Sequence, residues 1–286
     1  MSAPRILVAG VATLDSGDPV LRPALRLAER TGAELHLVHA RPAGDDHPAL
    51  HEMAALARLR AEAGALPCTA RVRCRVERGT AEEVLPRVTA GVGADALLLA
   101  PTRRGRLAGA LLGTTADHVL RHATVPVLVL HGEPAFHRVL LTTDLSAQSL
   151  LAHAWGLRLA CALAASARPA LRTLYVVPPA SLEETVEVAD ADVTAAVAEL
   201  ADVLAGHAVD GCVPAACVRF GEPGQAIVHE ARAWSADLLV LGTHARRGAA
   251  RRLLGSVART VLRRAPCSVL VIPPAHVPAE CARTGA

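Results

Sequence analysis

Gly242-Thr-His-Ala245-Arg-Arg-Gly248-Ala-Ala-Arg-Arg-Leu-Leu-Gly255-Ser256 directly follows the apolar run Asp237-Leu-Leu-Val-Leu241 and leads into the helical pattern Ser256-Val-Ala-Arg-Thr-Val-Leu-Arg-Arg264. A buried strand, a glycine-punctuated loop and a helix opening on Gly-Ser make a cradle suited to phosphate. Glycine lets the backbone approach an anion closely, and the free N–H groups of a helix start point at it. Ser256 is expected both to cap that helix and to offer a hydroxyl. A weaker copy of the layout stands earlier in the chain, where Ala100-Pro-Thr-Arg103 leads to Gly113-Thr114.

The repetition extends over the whole chain. The first half reads Arg5-Ile-Leu-Val-Ala9, a helix to Thr31, Glu34 to His39, a helix from His51 to Ala63, Ala70 to Val76, a helix from Ala81 to Ala90, Asp95 to Leu99, and Val125 to Leu130. The second half follows the same order, from Arg138-Val-Leu-Leu-Thr142 and a helix capped by Ser146, through Leu171 to Val177, a long helix from Leu182 to Leu204, and Ala215 to Phe220, to Asp237–Leu241 and Cys267–Ile272. Aligned by eye, Arg5 stands opposite Arg138 and Val127 opposite Val269, so the second half is longer, an expansion the sequence places around its long helix. Short apolar runs alternating with helical patterns predict βαβ units, hence a parallel sheet with helices on both faces. The expected fold is α/β: two tandem Rossmann-like domains, each an open five-stranded parallel sheet. Boundaries are expected at residues 1–134 and 135–274, with a loose tail over 275–286.

Composition narrows the function classes. Apolar residues make up 52% of the chain and aromatic residues only 2%, which suits Val/Leu/Ala cores and argues against a stacking platform for single-stranded nucleic acid. A net charge of +3, spread evenly over both halves, gives no field for capturing nucleic acid or a membrane surface. No lysine occurs, so a Walker lysine is excluded; no Gly-x-Ser-x-Gly elbow occurs either. Seven cysteines without a Cys-x-x-Cys pair form neither a zinc nor a disulfide framework, and no membrane-length apolar segment is present, so a cytoplasmic location is expected.

With Asp144 in Thr142-Thr143-Asp144-Leu145-Ser146, and Gly242, Ala245, Gly255 and Ser256 in the register of a Gly-x2-Gly-x9-Gly-Ser/Thr motif, the chain resembles the universal stress protein family in its tandem form. The resemblance covers nearly all of residues 1–274. It implies a nucleotide, ATP with or without Mg2+, at the carboxyl edge where strand order reverses. Carried over, Thr142, Asp144 and Val176 lie on the base and ribose side, and Gly242, Gly255, Ser256 and Val257 on the ribose-phosphate side. Arg246 is our own addition as a phosphate partner, through its forked donors. The family's edge strands pair domains, so Val127–Leu130 and Val269–Ile272 are expected to pair the two halves; a homodimer is left open.

Departures from the pattern shape the expectation. Ala245 replaces a glycine, and a positive φ there costs roughly 1–2 kcal/mol for a residue with a Cβ. In the first half Ala100 and Arg103 replace both leading glycines, and Gly10-Val-Ala-Thr13 lacks the aspartate, Asp15 being displaced. One competent site in the second half is therefore expected. Three readings remain open at this point: a stress-response regulator binding an adenine nucleotide and an unidentified protein partner, a nucleotide-independent scaffold, and a weak ATPase. His118 and His122, and His47 and His51, have the i, i+4 spacing of metal ligands without a third ligand nearby. No metal site is expected, and the acidic face Glu183, Glu184, Glu187, Asp190 and Asp192 is read as solvated.

Overall fold

The computed structural model describes residues 3–15, 17–41, 48–101, 114–133, 135–164, 168–179, 190–208, 212–243 and 254–274. They fall into two compact units, Met1–Pro134 and Ala135–Ala286. Unit one runs β1 (Ile6–Gly10), α1 (Leu21–Thr31), β2 (Glu34–Arg41), α2 (Pro48–Gly64), β3 (Val72–Arg78), α3 (Ala81–Val92), β4 (Ala96–Leu99), α4 (Thr114–His122), β5 (Val127–Val129). Unit two repeats it as β6 (Arg138–Thr143), α5 (Ala147–Leu163), β7 (Ala170–Val177), α6 (Asp190–Gly206), β8 (Ala215–Phe220), α7 (Pro223–Ala233), β9 (Leu238–Gly242), α8 (Ser256–Arg264), β10 (Ser268–Ile272). Within each unit five strands pair in parallel, in the orders β3-β2-β1-β4-β5 and β10-β9-β6-β7-β8. The expected α/β architecture is what the chain adopts.

Central strands are buried on both faces, as continuous apolar runs require. Leu7, Val8 and Ala9 of β1, and Val139, Leu140 and Leu141 of β6, have no solvent exposure at all. The same carboxylate device locks the foot of each sheet. Asp95 Oδ2 accepts the N–H groups of Arg5 and Ile6 at 2.7 and 2.9 Å. Asp237 accepts those of His137 and Arg138 at 2.6 and 2.9 Å.

These locks correct the alignment read from sequence. Ile6 corresponds to Arg138, one residue along from the Arg5–Arg138 match, because the apolar runs slide past each other while the bonded amides do not. The extra length of unit two is also divided. Part lies between β6 and β7, where α5 has 17 residues against 11 in α1. The rest lies between β7 and β8.

Helix α5 sets the geometry beside β6. Ser146 caps it as expected, accepting the Ser149 N–H at 3.2 Å. A Cβ on Gly156 would land on the Val240 side chain of β9, so helix and strand meet backbone to side chain there. Gly156→Ala is expected to destabilise unit two by about 1–3 kcal/mol through overpacking, read from urea unfolding midpoints.

Behind this contact His153 is buried and its Nε2 lies 2.8 Å from Thr173 Oγ1. Burial, with a smaller contribution from His207, pushes its pKa down to about 4 from 6.5. Between those values the unfolded state binds the proton and the folded state does not. The stability from a neutral His153 is therefore complete above about pH 6.5 and drains away as pH falls toward about 4, by roughly 3 kcal/mol. Unfolding curves across that window should show the slope in the wild type and its loss in the double variant His153→Leu, Thr173→Val.

Candidate functional site

In unit two the chain leaves β6 toward β7 and β8 on one side, then returns to β9 and β10 on the other. Strand order thus reverses between β6 and β9, the place where open parallel sheets form a ligand crevice beyond their carboxyl ends. Thr142 stands at its wall, its Oγ1 donating to the Val240 carbonyl at 3.1 Å across the strand pair. Gly242 ends β9 in register with Ile272. Val176 follows Tyr175, the partner of Thr143, so it comes level with Asp144. Its side chain is buried, leaving the backbone as what it presents.

The loop after β6 is held by its own short polar side chains. The Asp144 N–H donates to Ser149 Oγ at 3.1 Å, and Thr143 Oγ1 lies 3.2 Å from the same oxygen. The Leu145 N–H donates to Thr143 Oγ1 at 3.0 Å, and the Ser146 N–H to Asp144 Oδ1 at 3.0 Å. Leu145 takes a left-handed conformation, φ 62°, and packs against the apolar cluster of Leu200, Leu204 and Val218 beneath α6. Asp144 itself is exposed. Its carboxylate therefore shapes the loop as well as facing solvent, a duty the sequence did not disclose.

On the other side of the crevice, α8 begins with Gly255 as its N-cap, not Ser256. Gly255 has the extended conformation of a cap residue, so Ser256 moves into the first helical position, and the cap residue makes no side-chain bond to the helix. Gly255 itself brings no side chain to the orphan N–H groups of that turn. Ser256 and Val257 are exposed at its rim. Arg246, with Ala245 and the rest of residues 244–253, lies outside the described residues, as do residues 102–113 and the acidic positions 183, 184 and 187.

Unit one is built differently at the same place. Gly10 replaces Thr142, and a Cβ there would meet Leu85 Cδ1 at 2.8 Å. Ala12 stands where Asp144 does. The acid that organises this loop is Asp18, not Asp15: buried, it accepts the N–H groups of Ala12 and Thr13 at 2.8 Å each and of Val20 at 2.9 Å. Asp18-Pro19 ahead of a helical pattern was the available signal. His39 matches Tyr175 in register and bonds the Val11 carbonyl through Nδ1 at 2.9 Å. The His118 and His122 rings stack at 4.2 Å, and His122 Nδ1 donates to the His118 carbonyl. No group of three metal-ligating side chains occurs among the described residues.

A sequence model described as the universal stress protein family matches residues 4–131 and again 135–273. The chain belongs to that family. A universal stress protein of Synechocystis is 46% identical over 55 residues, covering 19% of this chain and 36% of its own length. One of Mycobacterium tuberculosis is 32% identical over 190 residues, covering 62% of this chain and 61% of its own length. The matched stretch is less than two thirds of either relative. Among solved structures, a functionally unknown protein of Pseudomonas aeruginosa aligns with TM-score 0.71 at 22% identity, over 96% of this chain and 95% of that one. A universal stress protein of Archaeoglobus fulgidus aligns with TM-score 0.68 at 18% identity, over 94% and 98%. At these identities the structures attest the tandem fold. Among the described residues no helix is long and apolar enough to cross a membrane.

Ser149 emerges as the support of the candidate site. Ser149→Ala should destabilise unit two by about 1–2 kcal/mol. Amide exchange at Asp144 and Leu145 should quicken in the variant. Unchanged exchange at both would show that packing alone holds the loop.

Proposed function

We propose that this protein is a stress-response regulator that binds ATP or a related adenine nucleotide in its second unit, the bound state changing its contacts with a protein partner. The observation that carries the reading is the start of α8, opened by Gly255 with exposed Ser256 and Val257, across the strand reversal from the Asp144 loop. Backbone donors and a hydroxyl at a helix start favour a polyphosphate. Thr142, Asp144 and the Val176 backbone then serve the base and ribose, and Gly242, Gly255, Ser256 and Val257 the ribose and phosphates. Arg246 adds a forked donor from the connecting segment. Mg2+ enters with the nucleotide, since no cluster of protein ligands among the described residues would hold it alone.

Titration calorimetry with Mg-ATP tests this. Gly255→Val, which adds a branched side chain against the phosphates, should weaken binding about tenfold or more. Ser256→Ala should weaken it about tenfold, as loss of a hydrogen bond to a charged group does. Asp144→Asn keeps an acceptor for the Ser146 N–H and so isolates the loss of charge. Wild-type affinity in all three variants would refute the site.

A further inference from the structure

Strand β3 is the outermost strand of unit one, paired with β2 on one side. The Leu35 N–H donates to the Arg71 carbonyl and the Gly79 N–H to the Arg41 carbonyl, each at 2.8 Å, which fixes the phase of the strand. In a parallel pair alternate residues turn both backbone groups toward the partner, so Arg71, Arg73, Arg75 and Glu77 serve β2. Val72, Cys74, Val76 and Arg78 turn their N–H and C=O groups outward, and no described residue bonds them.

Side chains alternate with the same period. Arg71, Arg73 and Arg75 line the face on which Arg87 of α3 meets Glu77. Val72, Cys74 and Val76 line the other face, where Arg60 of α2 lies near Cys74. Charge on the first face does not balance. Glu34 Oε1 meets Arg73 Nε at 2.5 Å and the His36 ring at 2.9 Å, and its Oε2 meets Arg71 at 3.6 Å, so one carboxylate serves two guanidiniums. Glu77 is taken by Arg87 at 3.5 Å, and no described carboxylate pairs with Arg75. The surplus is open to solvent, the Arg71 and Arg73 side chains being 75% and 55% exposed.

An open edge binds by strand addition: its backbone supplies the ladder, and its alternating side chains select the added strand. A second copy of β3 would bring two rows of arginine together on one face, which is destabilising. A strand with acids in those places is favoured instead. We propose that the β3 edge docks an extended segment of a partner protein in which acidic residues alternate with small apolar ones. The acids lie along Arg71, Arg73 and Arg75, and the ladder runs through Val72, Cys74 and Val76. This surface belongs to unit one and needs no nucleotide in unit two.

Fluorescence anisotropy on the full chain tests this with a short labelled peptide that alternates glutamate with valine. Two control peptides alternate lysine with valine, or carry the same glutamates and valines grouped in blocks. The alternating acidic peptide should bind, more weakly as salt is raised, and should slow amide exchange at Val72, Cys74 and Val76. Arg71→Gln with Arg75→Gln, which keeps the Arg73–Glu34 pair, should weaken it about tenfold, with circular dichroism confirming that the variant is folded. An edge merely guarded by its charges would bind none of the peptides, and that result overturns the proposal. Equal binding of either control, unchanged exchange at the three amides, or wild-type affinity in the folded variant overturns it as well.

Discussion

A single carboxylate at the foot of the returning strand fixes each half of this molecule. Strands β1 and β4 are far apart in sequence, as are β6 and β9, and a slip of one residue would turn every side chain to the other face. Asp95 and Asp237 prevent that slip by binding two successive amides of the strand beside them. The lock sits at the amino end of the strands. Its consequence appears at the carboxyl end, where β6 and β9 deliver Thr142 and Gly242 to neighbouring positions.

The two halves show how far a site can change while its frame does not. Both keep the lock, the strand order and the buried runs. At the crevice they diverge residue by residue: Thr142 against Gly10, Asp144 against Ala12, Val257 against a Thr115 whose hydroxyl is taken by Glu82. The amide after the first strand is satisfied in both, by Ser149 in one half and by Asp18 in the other.

Much of this was legible in the sequence, for identifiable reasons. Apolar runs of strand length between helical patterns are a strong signal, and the order of elements, the duplication and the Ser146 cap follow from them. Registration was less legible, because Val, Leu and Ile are interchangeable within a run; only the bonded amides show that Ile6, not Arg5, matches Arg138. Ser256 was read as a cap because serine favours that position, yet Gly255 adopts the cap conformation and displaces it by one. Asp18 and Ser149 act on the loop before their own helix, and Glu82 on a hydroxyl of another helix, which no periodic pattern encodes.

Leu145 carries a consequence of its own. A left-handed conformation at a residue with a Cβ costs about 1–2 kcal/mol, and here the side chain is driven into the cluster formed by Leu200, Leu204 and Val218. The bend that presents Asp144 is thus held from below by grease as well as from within by polar bonds. Loosening α6 from its sheet would release that bend, so a helix that supplies no candidate site residue doubles as its tensioner.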